Sequence, residues 1–177
     1  MTDPTQNRRF EQITFPHLDA AYNLARWLAR NDEDARDIVQ EAYLRAFRFF
    51  GGFRGDDGRA WLLAIVRNTF YSWCERNGAR TNQIEFDESV HAASSEDSGD
   101  DDPEALMLRA ENVERVTQAL AKLPNEFREV LVLRELEDLS YKQIATVAGV
   151  PIGTVMSRLA RARKLLAATL NELVKED

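Results

Sequence analysis

Cysteine is nearly absent from these 177 residues. Cys74 stands alone, so no internal disulfide can form, and His17 and His91 beside it make no ligand set for a structural zinc site. No stretch approaches ~18 consecutive apolar residues. The opening MTDPTQNRRF has no apolar run behind its charges, so the expectation is neither a membrane span nor a signal peptide, and a cytoplasmic chain. No P-loop or dinucleotide glycine fingerprint occurs, and two histidines in unrelated contexts support no cysteine–histidine catalytic pattern. The sequence therefore predicts no catalytic constellation and no cofactor. What is present, 44% hydrophobic and 30% charged residues, is the composition of a globular protein.

The net charge of -7 is unevenly spread. Residues 1–80 carry 12 Lys+Arg against 11 Asp+Glu, residues 81–104 carry 0 against 9, and residues 105–177 carry 11 against 10. The excess acidity thus lies in TNQIEFDESVHAASSEDSGDDDPE, which has few large apolar residues to offset the entropy of ordering itself. It reads as a linker over 81–104. The flanking segments, 1–80 and 105–177, are each near the lower size limit for one hydrophobic core and read as two small domains.

The first domain reads as helical. Phe15, Leu18, Tyr22, Ala25 and Ala29 step at helical spacing, and Ala35, Ile38, Val39, Ala42, Ala46, Phe49 and Phe50 repeat the pattern after the polar break Asn31-Asp32. A glycine-rich turn, GGFRGDDG, stops this second helix. Leu62, Ile65, Val66, Thr69 and Trp73 form a third apolar stripe. The polar face of the second helix carries Asp34, Asp37, Glu41, Arg45 and Arg48; by charge alone it is a solvated face.

In the second domain Asp102-Pro103 is a helix start, a capping carboxylate followed by proline at the first helical position. Leu106, Ala110, Val113, Thr117 and Leu120 form the stripe behind it. Pro124 opens another helix with Phe127, Val130 and Leu131. Then Ser140 and Gln143 have capping-box spacing, Gly149 supplies a turn and Pro151 restarts a helix, which is a helix-turn-helix signature. On the last helix Ile152, Val155, Leu159, Ala162 and Leu166 share the expected core side, with Thr154, Ser157, Arg158 and Arg161 opposite and Arg163 and Lys164 flanking. No Asp or Glu occurs between Ser140 and Asn171. A helix in the major groove needs small or hydroxylated residues for close approach, arginines for guanine edges and further cations for phosphates, and this one has them.

LPNEFREVLVLRELEDLSYKQIATVAGVPIGTVMSRLARARKLL resembles region 4 of bacterial sigma factors. DEDARDIVQEAYLRAFRFFGGFRG with AWLLAIVRNTFYSW resembles region 2. With only these two regions and a linker, the chain is similar to the extracytoplasmic-function (ECF) sigma factors, an all-α architecture of two helical domains. The resemblance implies that Asp34, Asp37, Val39, Gln40, Glu41 and Leu44 dock on the beta-prime clamp helices of core RNA polymerase, in place of a solvated face. It implies that Phe53, Arg54, Trp61, Arg67 and Asn68 open and read the -10 element, an aromatic wall stacking an unstacked base and an amide reading its edge. Thr154, Ser157, Arg158 and Arg161 would read the -35 element and Arg163 and Lys164 hold phosphates, beside a contact with the beta flap. For Phe53 and Trp61 the competing reading is core packing.

The resemblance further implies a monomer when free, a stress or envelope-response regulon, and an anti-sigma partner, often membrane-anchored. Asp56 and Asp57 lie where DNA should pass, or instead cap the third helix. The acidic linker is expected to compete with DNA for the basic faces, so that neutralising Asp97, Asp100, Asp101 and Asp102 raises affinity, or to mimic RNA near its exit path. Cys74 is either a redox sensor or a small packed hydrophobe. Two other classes fit parts of the pattern. A one-component regulator predicts a dimer and a palindromic site; an adaptor or anti-sigma antagonist predicts polymerase binding without promoter opening.

Overall fold

The computed structural model describes residues 3–77 and 102–176. Asp97, Asp100 and Asp101, His91 and the rest of the expected acidic linker up to residue 101 lie outside the described residues, and with them the expectations of DNA competition and RNA mimicry. The described residues are helical, with no strand among them.

The first half has four α-helices. α1 (Pro4–Thr14) was not expected from the apolar pattern; Asp3 accepts from the Thr5 N–H and Pro4 takes the first helical position, the same device that starts a helix at Asp102-Pro103. A 3-10 turn at Phe15–His17 leads into α2 (Leu18–Ala29), which ends on Arg30 in the left-handed region, φ 60°. Asn31 then caps α3 (Asp32–Phe49) by accepting from the Asp34 N–H at 3.0 Å. The Phe50–Gly52 turn stops α3 as expected, and α4 (Gly58–Asn77) follows. A Cβ at position 58 would collide with the Ile13 side chain and crowd its carbonyl, so glycine suits the close start of α4 against α1. Phe10 of α1 is buried edge-on against Tyr43, Phe47 and Phe50.

The second half runs α5 (Pro103–Lys122), α6 (Asn125–Leu131) with a π-helical turn at Val132–Leu136, α7 (Tyr141–Ala148) and α8 (Ile152–Lys175). The Ser140–Gln143 capping box is formed in both directions, and Gly149 adopts φ +67° to turn α7 into α8. Val155, Leu159 and Ala162 are buried as expected.

Several expected core positions are instead at the surface. Phe15, Leu18 and Phe49 are exposed, as are Leu106 and Val113 on the first turns of α5, whose burial starts only at Thr117. Ile152 is 44% exposed because it lies on the first turn of α8, ahead of the contact with α6.

The halves also pack on each other, α4 against α7 and α2 against α6. Arg128, on α6, is fully buried there. Its Nε donates to the Leu120 carbonyl at 2.9 Å, Nη1 to the Trp27 carbonyl at 3.1 Å, and Nη2 to the carbonyls of Ala121 and Leu123. These are the terminal carbonyls of α5 and α2, so one guanidinium caps a helix C-terminus in each half. Burial, with Arg30 nearby, pushes Arg128 down to about 9, which leaves it charged at neutral pH.

Candidate nucleic-acid interface

α8 presents its expected face because Val155, Leu159 and Ala162 anchor the other side. Ser157, Arg161 and Lys164 are exposed there. The Ser157 hydroxyl donates back to the Gly153 and Thr154 carbonyls, leaving its lone pairs outward. Arg163 is exposed and pairs with Glu135 at 3.1 Å, so it belongs partly to the packing of α8 on the π-helical turn. Thr154 is half-buried. Arg158 departs from its expected place on the open face: it is half-buried, with an enclosed Nη1 that makes no hydrogen bond, and its charge bears on Glu129.

The second expected face, the loop before α4 and α4 itself, is partly covered, where α7 packs against α4. Phe53 is 6% exposed, stacked on Phe50 with ring centres 5.9 Å apart and tilted against Trp61 at 4.8 Å. Core packing is therefore its role in this conformation. Trp61 is half-buried and walls a cavity of about 510 Å³ with Phe53, Arg54, Asp57, Lys142 and Gln143. Arg54 and Asn68 are exposed. Arg67 is held by Glu129, Nε to Oε2 at 3.0 Å and Nη2 to Oε1 at 3.2 Å, and lies 4.6 Å over the Tyr71 ring.

Asp57 does cap α4. Its Oδ1 accepts from the Ala60 N–H and Oδ2 from the Gln143 amide of α7, both at 3.0 Å. Burial pushes this carboxyl up, but those two bonds and the charges of His17 and Arg59 outweigh it and hold it below the usual carboxylate range. Asp56 is exposed.

On α3 the expected polymerase contacts Asp37, Gln40 and Leu44 are exposed, Leu44 at 66%, with Phe47 and Phe49 exposed further along. Asp34 and Glu41 are half-exposed, and Val39 is buried beneath them. Glu41 accepts from Arg76 and Arg45, each at 2.7 Å, and the Arg76 bond holds it below its ordinary range against some burial. Cys74 is half-buried, and burial pushes its thiol up, away from the reactive thiolate. Among the described residues no group of His, Cys, Asp or Glu could hold a metal ion, and no helix is long and apolar enough to cross a membrane.

Sequence reasoning missed Glu129, Tyr71, Lys142 and Gln143. The signal for Glu129 was a charged pair, Arg128-Glu129, inside a short helix whose neighbours Val130 and Leu131 are both core.

Residues 16–80 match the family description "Sigma-70 region 2" and residues 113–166 match "Sigma-70, region 4". The chain is 36% identical to the RNA polymerase sigma-H factor of Pseudomonas aeruginosa, covering 96% of this chain and 90% of that one. To the ECF RNA polymerase sigma-E factor of Escherichia coli K12 it is 35% identical over 80% of this chain and 76% of the relative. Its fold is similar to that of the Bartonella quintana sigma factor RpoE, solved in complex with the anti-sigma factor NepR: TM-score 0.73, 28% identity, 93% of this chain and 98% of that one. CnrH, in complex with the cytosolic domain of CnrY, gives a TM-score of 0.64 at 26% identity, over 94% and 90%. Two helical domains with a helix-turn-helix in the second, matched along nearly their whole length by such relatives, place the chain in the sigma-70 family as a sigma factor of the ECF type.

Proposed function

We propose that this sigma factor docks core RNA polymerase through α3 and directs it to promoters, with α4 and its preceding loop engaging the -10 element and α8 the -35 element. The observation that carries this is the charge segregation on α8: Ser157, Arg161 and Lys164 stand exposed on a helix with no carboxylate before Glu172. An uncompensated cationic, hydroxylated helix face has a polyanion as its natural partner. The exposed Asp37, Gln40 and Leu44 on α3 supply a mixed polar and apolar face of the kind a protein helix pair can cover. Chemistry belongs to the polymerase; this chain contributes specificity, two weak modules gaining effective concentration once both are held on one enzyme. The anti-sigma complexes of its structural relatives support an anti-sigma partner that withholds it from polymerase.

The test is run-off transcription with purified bacterial core polymerase on the DNA upstream of this protein's own gene. A discrete transcript that requires the protein and disappears with Arg158→Ala plus Arg161→Ala supports the reading. Absence of any binding to core polymerase refutes it.

A further inference from the structure

We propose that Glu129 is an internal counter-charge that grips Arg67 across the halves, beneath the charge of Arg158, and so keeps the free protein closed and unable to engage both promoter elements at once. The inference rests on the reading of those two arginines as DNA contacts.

Glu129 is fully buried on α6. Arg67 grips both of its oxygens from α4, the Tyr71 hydroxyl donates to Oε2 at 3.2 Å, and Arg158 approaches from α8 with an enclosed Nη1 that has no hydrogen-bond partner. Arg67, from one expected DNA face, thus bonds this carboxylate across the interface, and the charge of Arg158, from the other face, bears on it. A carboxylate offers a guanidinium the same paired anionic oxygens as a phosphate, so Glu129 and DNA compete for the same donors.

The closed form also fails on distance. Elements centred at -10 and -35 are about 25 base pairs apart, about 85 Å along B-form DNA at 3.4 Å per pair. In the structure the two arginines share one side chain's neighbourhood. α7 moreover packs against α4, tied there by Gln143 to Asp57 and by Arg59 to the Glu137 carboxylate at 3.0 Å. Promoter engagement therefore requires the halves to part and Glu129 to release Arg67. A buried ion pair suits a latch, because its desolvation cost nearly cancels its attraction and leaves the closed form only modestly favoured.

The experiment uses the full chain and Glu129→Gln, which keeps shape while removing the charge. Three quantities are read: radius of gyration by small-angle X-ray scattering, affinity without polymerase for a labelled duplex of the protein's own upstream DNA, and run-off transcription. The expected result is a larger radius than wild type and affinity raised by about tenfold, within the usual range of coupling between two states. A folded Glu129→Gln variant with unchanged radius and unchanged affinity overturns the proposal. So does a wild-type chain already extended in solution, an observation that stands even if the variant fails to fold. Arg59→Ala with Gln143→Ala, which loosens the same interface outside the expected DNA contacts, should expand the protein likewise; no expansion overturns the latch. The sigma reading fails differently, by loss of wild-type binding to core polymerase.

Discussion

α4 and α8 carry the two expected DNA faces, and they meet the rest of the molecule in opposite ways. α8 buries one stripe and leaves Ser157, Arg161 and Lys164 open, while α4 is partly overlaid by α7 and has Arg67 engaged by a buried acid. In sequence the α8 face reads as arginines and hydroxyls opposite an apolar stripe, whereas the residues of the α4 face are carried by the family resemblance alone. Helical periodicity reports which side of a helix meets its own bundle; it carries no information about a second bundle arriving on the far side. Arg158 shows the boundary, since it belongs to the open helix yet points its charge into the covered region.

That contrast can be broken most forcefully at Arg128. Arg128→Ala strips partners from several buried carbonyls at the ends of α2 and α5, each costing about 1–3 kcal/mol, so urea denaturation should show a loss of at least about 3 kcal/mol. If the two halves unfold separately in the variant, the covering of α4 depends on this residue. Next in size, Trp61→Ala and Arg161→Ala should each weaken promoter complexes of the polymerase-bound protein by about 1–3 kcal/mol, through a lost stacking surface and a lost base or phosphate contact respectively. Of these two, only Arg161→Ala should register in a DNA-binding titration without polymerase, because Arg161 is exposed while Trp61 is half-buried beside α7.

Asp57→Ala should cost about 1 kcal/mol, the usual worth of a helix N-cap, and should also detach Gln143. The pH sign follows from its depressed carboxyl. The stabilisation is present above the ordinary carboxylate range and is lost as pH falls through the folded-state value, so wild type and Asp57→Ala should converge in thermal stability in acid. The smallest effect belongs to Lys164→Ala, which should lower the salt dependence of DNA binding by about one counterion with little change in sequence preference.

Much of the fold was legible because its signals are local. The Ser140–Gln143 box, Gly149 and the Asp102-Pro103 start are decided within one helical turn. α1 carried the same Asp-Pro signal at residues 3–4 but lacked a continuous apolar stripe, its Phe10 and Thr14 being the only buried side chains. Exposure of Phe49, Leu106 and Ile152 was illegible for the opposite reason, since a helix's first or last turn keeps the period after it has run past its packing partner. In the candidate site, residue types were readable and their accessibility was not. The cover over Arg67, Phe53 and Trp61 is made by contacts such as Arg67 to Glu129, 62 residues apart, which no spacing in the sequence encodes.

The double cap made by Arg128 has a consequence in time. Its Nη1 reaches a carbonyl 101 residues earlier in the chain. At about 5–20 residues per second, α2 emerges from the ribosome about 5–20 seconds before the side chain that closes its end. During that interval the Trp27 carbonyl is left to water, and the first bundle must hold together on its own aromatic core. The finished interface therefore records the order of synthesis: the half that is made last supplies the group that completes the half made first.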